Sequence, residues 1–147
     1  MGSKKWNPYS RRAFVRRLLA VGTMLGWTLR RARAAEAPPN ISIPLDKVPP
    51  LQEVMGGVLL KLRGRKVLLI RTDKMQISAL DPECRHKKCK VLYKKEWGEI
   101  RCDCHGSKYD VRGKVIYPPA TKDLRHYPVR LDGDQILLNL TPVPDED

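Results

Sequence analysis

Two short segments of the chain concentrate side chains that bind metals. Each contains two cysteines and one histidine, and they run Cys84-Arg85-His86-Lys87-Lys88-Cys89 and Cys102-Asp103-Cys104-His105-Gly106-Ser107-Lys108-Tyr109-Asp110. Thiolates and imidazoles bind iron and zinc, so clustering of this kind indicates a metal site, a disulfide, or both. A tetrahedral zinc site formed by two cysteines and two histidines is one candidate, and an iron–sulfur cluster is the other.

The excess of basic residues is concentrated at the N-terminus. The whole chain has 29 Lys and Arg against 16 Asp and Glu, a formal net charge of +13. Residues 1–34 hold nine of these bases and no acid, which leaves twenty bases and sixteen acids, or +4, for the rest of the chain. A charge of that size is typical of a solvated surface, so we expect no nucleic-acid partner.

The basic N-terminus predicts an export signal. It contains Ser10-Arg11-Arg12-Ala13-Phe14-Val15, then an uncharged, mostly apolar run over residues 18–29 and a second basic group at residues 30–33. This pattern is typical of the twin-arginine route, which exports proteins already folded around a cofactor. We therefore expect the protein at the periplasmic face of the bacterial cytoplasmic membrane, with residues 1–34 either cleaved or kept as an anchor helix. A basic amphipathic helix lying on the membrane is the alternative.

Behind a short linker at residues 35–42, the chain has the pattern of a small β protein. Short apolar runs alternate with turn signals, and no segment after residue 40 has a convincing helical period. The predicted strands are residues 58–62, 66–71, 76–80, 98–102, 114–117, 125–131 and 135–140. The residues expected to fill a common core are Leu59, Val67, Leu69, Ile77, Val129 and Ile136 or Leu138. The pairs Leu59-Leu60 and Leu68-Leu69 predict strands covered on both faces.

The two cysteine–histidine segments resemble the cluster-binding loops of Rieske proteins from quinol-oxidising cytochrome complexes. Their patterns, Cys-x-His-x-x-Cys and Cys-x-Cys-His-Gly-Ser-x-Tyr, match the iron–sulfur subunit of quinol:cytochrome c oxidoreductase. The resemblance covers residues 43–141 and implies an all-β Rieske fold of antiparallel sheets, in which residues 83–123 form a small cluster-binding subdomain. The N-terminal signal or anchor helix precedes this domain, and an acidic tail at residues 142–147 follows it.

The resemblance also implies the cofactor and its ligands. One Rieske-type 2Fe-2S cluster per subunit would be bound by Cys84 and Cys102 at the buried iron and by His86 and His105 at the outer iron. Replacing two thiolates by neutral imidazoles removes negative charge and raises the reduction potential above that of all-cysteine ferredoxins. A free imidazole N–H can release its proton when the iron is oxidised, which couples electron uptake to proton uptake. Zinc would explain neither the second cysteine pair nor the Gly-Ser-x-Tyr pattern.

Four further residues match functional positions of the family. Cys89 and Cys104 correspond to the disulfide that joins the two loops, and such a bond suits an oxidising compartment. Ser107 and Tyr109 correspond to hydroxyl donors, one to a bridging sulfide and one to a cysteine sulfur, which favour the reduced cluster. The segment Pro118-Pro119-Ala120 resembles the loop that covers a third side of the cluster, with Pro118 where a glycine is usual.

The tip of the first segment departs from the family pattern. After the first ligand histidine the related proteins have Leu-Gly, whereas this chain has Lys87 and Lys88. A charged tip is costly in an apolar quinol pocket unless a carboxylate meets it. We therefore expect Lys87 and Lys88 either to face solvent or to dock on an acidic partner.

The function implied by the resemblance is electron transfer within a respiratory complex, from quinol to a c-type cytochrome. The partners would be cytochrome b-type and c-type subunits, quinol would be bound jointly with them, and the subunit alone would catalyse no turnover. One alternative is a small Rieske subunit of another periplasmic oxidoreductase resembling arsenite oxidase. A ferredoxin-type carrier is the other, and the disulfide pair and the export signal both disfavour it.

Overall fold

Three antiparallel sheets make up the β structure of residues 39–144, the part of the chain that this computed structural model describes. Residues 1–38, with the predicted export signal, and residues 145–147 lie outside it. The strands are β1 (Ile41–Pro44), β2 (Gly57–Leu62), β3 (Arg65–Asp73), β4 (Gln76–Leu80), β5 (Leu92–Lys94), β6 (Glu99–Arg101), β7 (Lys108–Asp110), β8 (Val115–Tyr117), β9 (Val129–Asp132) and β10 (Gln135–Leu138). Short 3₁₀ helices occupy Leu45–Lys47, Pro49–Gln52 and Lys95–Trp97. Within residues 39–144, no helix has the length and apolar character needed to cross a membrane.

The strands pair in the orders β1-β10-β9, β2-β3-β4 and β5-β6-β7-β8. Tight turns connect two of the hairpins. Between β2 and β3, Arg63 and Gly64 have φ angles of 46° and 85°, and two such residues let a short turn follow the twist of the strands. Gly133, with φ 55°, stands in the turn between β9 and β10. The turn signals in the sequence therefore predicted both hairpins.

Strand β3 is buried on both faces and separates two hydrophobic cores. Val67 and Leu69 belong to the first core, Leu68 and Ile70 belong to the second, and all four are at most 4% exposed. Successive side chains of a strand point to opposite faces, so an unbroken apolar run requires cover on both sides. The prediction from Leu68-Leu69 is confirmed, whereas the same prediction from Leu59-Leu60 is wrong, because Leu59 is exposed.

The second core contains part of the candidate metal site. It lies between the β2-β3-β4 sheet and the β5-β6-β7-β8 sheet, and its buried members are Leu68, Ile70, Leu80, Cys84, Val91, Ile100, Cys102, Tyr109, Ala120 and Leu124. The first core lies on the other side of β3, and its buried members are Val48, Leu51, Val67, Leu69, Ile77, Ala79, Tyr127, Ile136, Leu138 and Leu140. Three of the predicted site residues, Cys84, Cys102 and Tyr109, are therefore core residues as well.

All seven predicted strands are present; β4 has the predicted bounds, and the other six have shifted ends. The largest shift is at the strand predicted over residues 125–131, which begins only at Val129. Strand β1 starts inside the range predicted as a linker and was not predicted, and neither were β5 and β7, although β6 and β8 are equally short and were predicted. The core prediction is wrong for Leu59, which is 38% exposed. The second core covers β3 and β4 but does not extend over the edge strand β2.

A matched pair of glycines tests the packing of the second core. Gly113 and Gly64 have nearly the same φ, 83° and 85°, so an alanine strains the backbone about equally at both. A Cβ at Gly113 would lie 2.8 Å from Leu80 Cδ2 and 3.2 Å from Leu124 Cβ, whereas a Cβ at Gly64 meets nothing within 4 Å. We expect Gly113→Ala to lower the free energy of unfolding by about 1–3 kcal/mol more than Gly64→Ala, measured by urea denaturation. Equal losses for the two variants would contradict this packing.

Candidate metal centre

The connection between β4 and β5, residues 81–91, forms a closed turn around Cys84 and is called loop 1. The N–H of Cys84 donates to the carbonyl of Cys89 at 2.7 Å, and the N–H of Lys88 donates to the carbonyl of Cys84 at 2.9 Å. Lys88 has a φ of 58°, the left-handed conformation that reverses the chain. An antiparallel bridge between Glu83 and Lys90 closes the base of the loop.

Loop 2, residues 102–107 between β6 and β7, repeats this backbone pattern. The N–H of Cys102 donates to the carbonyl of Ser107, and the N–H of Gly106 donates to the carbonyl of Cys102, both at 2.9 Å. Gly106, with φ 82°, occupies the position that Lys88 has in loop 1. In each loop a cysteine opens the turn, a left-handed residue stands four positions later, and the turn closes at the fifth position.

The predicted thiol ligands are buried and the predicted imidazole ligands are exposed. Cys84 and Cys102 are 2% and 1% exposed and belong to the second core. The rings of His86 and His105 lie on the surface and contact each other edge to face, with their centroids 4.8 Å apart. The two loops therefore offer two sulfur donors on their inner side and two nitrogen donors on their solvent side.

Two fully buried hydroxyl groups lie beside the thiols. The hydroxyl of Tyr109 lies 3.2 Å from Cys84 Sγ and accepts the N–H of Arg85 at 3.1 Å. Because this oxygen already accepts one proton, its own proton is left to donate to sulfur. Ser107 Oγ accepts the N–H of Ala120 at 3.0 Å, so its proton is likewise left to donate.

The surroundings of the two thiols shift their pKa values in opposite directions. Burial acts to raise the pKa of Cys84, but hydrogen bonds from the Tyr109 hydroxyl and the His86 backbone N–H contribute to an opposing effect that lowers it. Burial raises the pKa of Cys102, and the neighbouring Cys84 adds to the effect. Burial, followed by the contact with Cys84, raises the pKa of Tyr109, so this hydroxyl keeps its proton. The thiolate is the form that binds metal, and the Tyr109 contact favours it at Cys84.

The other two cysteines join the loops to each other. Cys89 in loop 1 and Cys104 in loop 2 form a disulfide, with Cα atoms 6.4 Å apart and fifteen positions between them in sequence. The sulfurs of Cys89, Cys102 and Cys104 lie within 4.8 Å of one another. Because the disulfide uses Cys89 and Cys104, neither has a thiolate to offer a metal. The free cysteines of the described chain are Cys84 and Cys102.

The available donors fit an iron–sulfur centre of mixed ligation. Two buried thiols and two exposed imidazoles are the ligand set that a Rieske 2Fe-2S cluster requires. The hydroxyl and backbone N–H groups aimed at Cys84 are the donors that stabilise negative charge on cluster sulfur. A zinc ion could use the same four side chains, but it would have no need of hydroxyl groups at the sulfurs.

Lys87 and Lys88 lie at the tip of loop 1, next to the imidazole of His86. Both lysine side chains are exposed, as are His86 and His105. The positive charge of the tip therefore lies beside the outer donors of the centre.

The predicted proline loop includes the bond between Pro118 and Pro119, which is cis, and continues to Ala120, whose N–H anchors it to Ser107.

Sequence reasoning did not identify two contacts of the centre. Ala120 holds Ser107 in place and Arg85 holds Tyr109 in place, and each does so through its backbone N–H. A backbone donor leaves no mark in the choice of side chain, so no pattern of residue types could have revealed either contact.

The sequence profile of the Rieske [2Fe-2S] domain matches residues 46–128, more than half of the chain. Among curated proteins, the iron–sulfur subunit 1 of the cytochrome b6-f complex of Nostoc sp. is 32% identical over 79 residues, or 52% of this chain. The matched region is only 44% of the Nostoc protein, so the chain spans less than half the length of that relative.

A ferredoxin component of a dioxygenase system is similar at the same level. The ferredoxin component of the naphthalene 1,2-dioxygenase/salicylate 5-hydroxylase systems of a Ralstonia species is 31% identical over 98 residues, covering 65% of this chain and 89% of that protein. Sequence identity therefore does not separate the two kinds of Rieske protein.

A solved structure with the same architecture is that of the plasma membrane Rieske protein from Synechocystis. It has a TM-score of 0.52 and 34% sequence identity, covering 57% of this chain and 86% of that one. Together with the profile match and the mixed donor set of the two loops, these similarities show that the chain belongs to the Rieske family, with an all-β Rieske fold and a [2Fe-2S] cofactor, and acts as an electron carrier.

Proposed function

We propose that this protein is the Rieske subunit of a membrane-associated respiratory complex and transfers electrons from quinol to a c-type cytochrome. The observation that carries the proposal is the division of the donors, with buried thiols on one side and exposed imidazoles on the other. Cys84 and Cys102 would hold the inner iron, and His86 and His105 would hold the outer one. The cluster, when bound, supplies the one-electron chemistry.

The exposed imidazoles support a donor that gives up both electrons and protons. Quinol releases a proton with each electron, so its oxidant benefits from a group that accepts a proton at the same place. The outer nitrogen of His86 or His105 can take that role because both rings reach the surface. A carrier buried on all sides would accept the electron alone.

The hydroxyl groups support a centre of raised potential. Tyr109 donates toward Cys84 Sγ at 3.2 Å, and Ser107 has a proton left to donate. Reduction adds negative charge, so such donors favour the reduced state and raise the potential. This is the direction that a mild reductant such as quinol requires.

The charged tip supports docking on an acidic partner. Lys87 and Lys88 are exposed beside His86, where an apolar tip would suit an apolar pocket better. Two carboxylates on the partner would compensate both charges and increase the rate of encounter. The same feature favours the second candidate, a subunit of another periplasmic oxidoreductase of the arsenite-oxidase type. The similarity to the Ralstonia ferredoxin favours the third, a soluble carrier.

We also propose that the protein works at the periplasmic face of the cytoplasmic membrane. The twin-arginine pattern in residues 1–34 supports export. The Cys89–Cys104 disulfide supports an oxidising compartment independently of that signal, because such bonds rarely persist in the cytosol.

Redox titration followed by electron paramagnetic resonance tests the quinol assignment. We expect a positive potential that falls as pH rises, by about 59 mV per pH unit for each proton taken up with the electron. The reason is that deprotonation at high pH stabilises the oxidised state. His126→Gln changes an exposed histidine outside the two loops and should leave the slope unaltered. A low potential independent of pH would instead favour the ferredoxin-type carrier.

Cysteine variants test the ligand assignment. Cys84→Ser should abolish iron binding, measured by iron content and by the paramagnetic resonance signal, because serine cannot replace a buried thiolate. The double variant Cys89→Ser/Cys104→Ser should retain iron but lose stability, by about 3 kcal/mol for a fifteen-residue loop in the chain-entropy model. Loss of iron from a folded double variant, with iron retained by Cys84→Ser, would reverse the assignment.

The Tyr109 hydroxyl should tune the potential. Tyr109→Phe removes one donor to Cys84 Sγ, so we expect the potential to fall by on the order of 60 mV, the equivalent of about 1.4 kcal/mol for one electron. Tyr117→Phe, which removes a hydroxyl from an exposed tyrosine of the same sheet, is the matched control and should leave the potential unchanged. An unchanged potential in Tyr109→Phe would show that this contact does not act on the cluster.

A further inference from the structure

One row of side chains crosses all four strands of the β5-β6-β7-β8 sheet. The strand register aligns Leu92 with Arg101, Arg101 with Lys108, and Lys108 with Tyr117. Their chain neighbours Tyr93, Ile100 and Tyr109 face the second core. Because successive residues of a strand alternate between faces, the row lies on the outer face of the sheet.

The row is the end of the sheet next to the metal centre. Leu92 is the first residue of β5, Arg101 the last of β6, Lys108 the first of β7 and Tyr117 the last of β8. Each strand continues from that end into a segment that forms the centre: loop 1, both ends of loop 2, and the proline loop. Arg101 is therefore bonded directly to the proposed ligand Cys102.

Exposed apolar side chains are concentrated on this row and beside it. Trp97, Tyr117, Ile116 and Leu92 are four of the eight exposed large hydrophobic side chains within residues 39–144, and all four lie on or beside this one sheet. Trp97 is 59% and Tyr117 57% exposed. Exposed aromatic side chains concentrated on one sheet are typical of a surface that contacts another protein.

Cations lie between these aromatic side chains. The guanidinium carbon of Arg101 lies 4.3 Å from the centroid of the Trp97 ring, and Lys108 Nζ lies 5.6 Å from that of the Tyr117 ring. Such stacking holds the cations in place while leaving part of each exposed. A partner would meet two positioned positive charges flanked by aromatic rings.

The carboxylates of this face are already engaged. Glu99 Oε1 lies 3.6 Å from Arg101 Nε and 3.7 Å from Lys108 Nζ, and its side chain is only 17% exposed. Asp110 Oδ1 accepts the backbone N–H groups of Arg112 and Lys114. Arg101, Lys108 and Lys94 carry three positive charges on this face, against the two negative charges of Glu99 and Asp110, so the net charge of the face is +1.

We propose that the row formed by Leu92, Arg101, Lys108 and Tyr117, together with the Trp97 ring that stacks on Arg101, is a docking surface for the acidic face of a protein electron acceptor. The inference rests on the proposed function, since it names where the acceptor binds. An acceptor carboxylate would lie between Arg101 and Lys108, on the side away from Glu99, and apolar groups would pack on Trp97 and Tyr117. An acceptor bound there would lie beside the metal centre, because the row is at the end of the sheet that continues into the two loops.

Electron-transfer kinetics of the cluster-loaded full chain test this surface. The reduced protein is mixed in a stopped-flow instrument with an oxidised soluble c-type cytochrome of net negative charge, at low and at high salt. The row variant is Trp97→Ser/Lys108→Gln, and Tyr117→Ser is a second variant that alters no ion pair. The tip variant is Lys87→Gln/Lys88→Gln. Met75→Ser/Lys61→Gln makes a comparable apolar and charge change on the β2-β3-β4 sheet and serves as the control.

We expect both row variants to slow electron transfer to the acidic cytochrome, by roughly tenfold for the double variant at low salt. The control should stay within about twofold of the original protein, and high salt should reduce the differences. A cytochrome of net positive charge should react slowly with all of these proteins. Redox titration of each variant shows that the cluster itself is unchanged.

Other outcomes separate this inference from the proposed function. If the row variants react like the original protein while the tip variant is slow, the acceptor binds at the tip and the docking surface is wrong, although a high, pH-dependent potential would still support quinol oxidation. If the row variants slow the positively charged cytochrome equally, the surface does not select acidic partners and the inference fails. A low potential independent of pH would overturn the proposed function itself.

Discussion

The burial of β3 on both faces is the constraint on which the rest of the structure depends. Leu68 and Ile70 form the floor of the second core, and Ile100 and Tyr109 of the four-stranded sheet pack in the same core. Val67 and Leu69 tie the opposite face to the first core. Both loops of the metal centre extend from strands held by this packing, so the positions of their donors are determined by ordinary hydrophobic burial.

The metal centre combines burial and exposure through two turns of the same design. Each turn begins with a cysteine that the core encloses and then carries a histidine at its outer side. The disulfide connects the two turns, and the hydroxyl of Tyr109 contacts Cys84 Sγ from within the second core. Core packing therefore separates two chemical environments, one dry and rich in sulfur, the other wet and rich in nitrogen.

Local sequence patterns predicted the parts of the fold that depend on local physics. Alternating apolar residues marked seven strands, glycines marked the turns, and the cysteine–histidine spacing marked both loops. Strand β7 escaped prediction because its residues belong to the second cysteine–histidine segment, and β5 escaped because Leu92-Tyr93-Lys94 does not alternate; each exists through its pairing with β6. The exposure of Leu59 was also unpredictable, since it depends on which strands the second core covers. The outer row of side chains follows from register, which no single segment specifies.

Lys88 in loop 1 and Gly106 in loop 2 occupy equivalent positions in the two turns. Both residues stand four positions after a cysteine and adopt the left-handed conformation, which glycine adopts freely and a lysine adopts at a cost of roughly 1 kcal/mol. The chain thus places a long cation where its backbone favours glycine. Local strain of this kind is concentrated at functional sites in proteins, and here it lies at the tip of loop 1, where a glycine would relieve it.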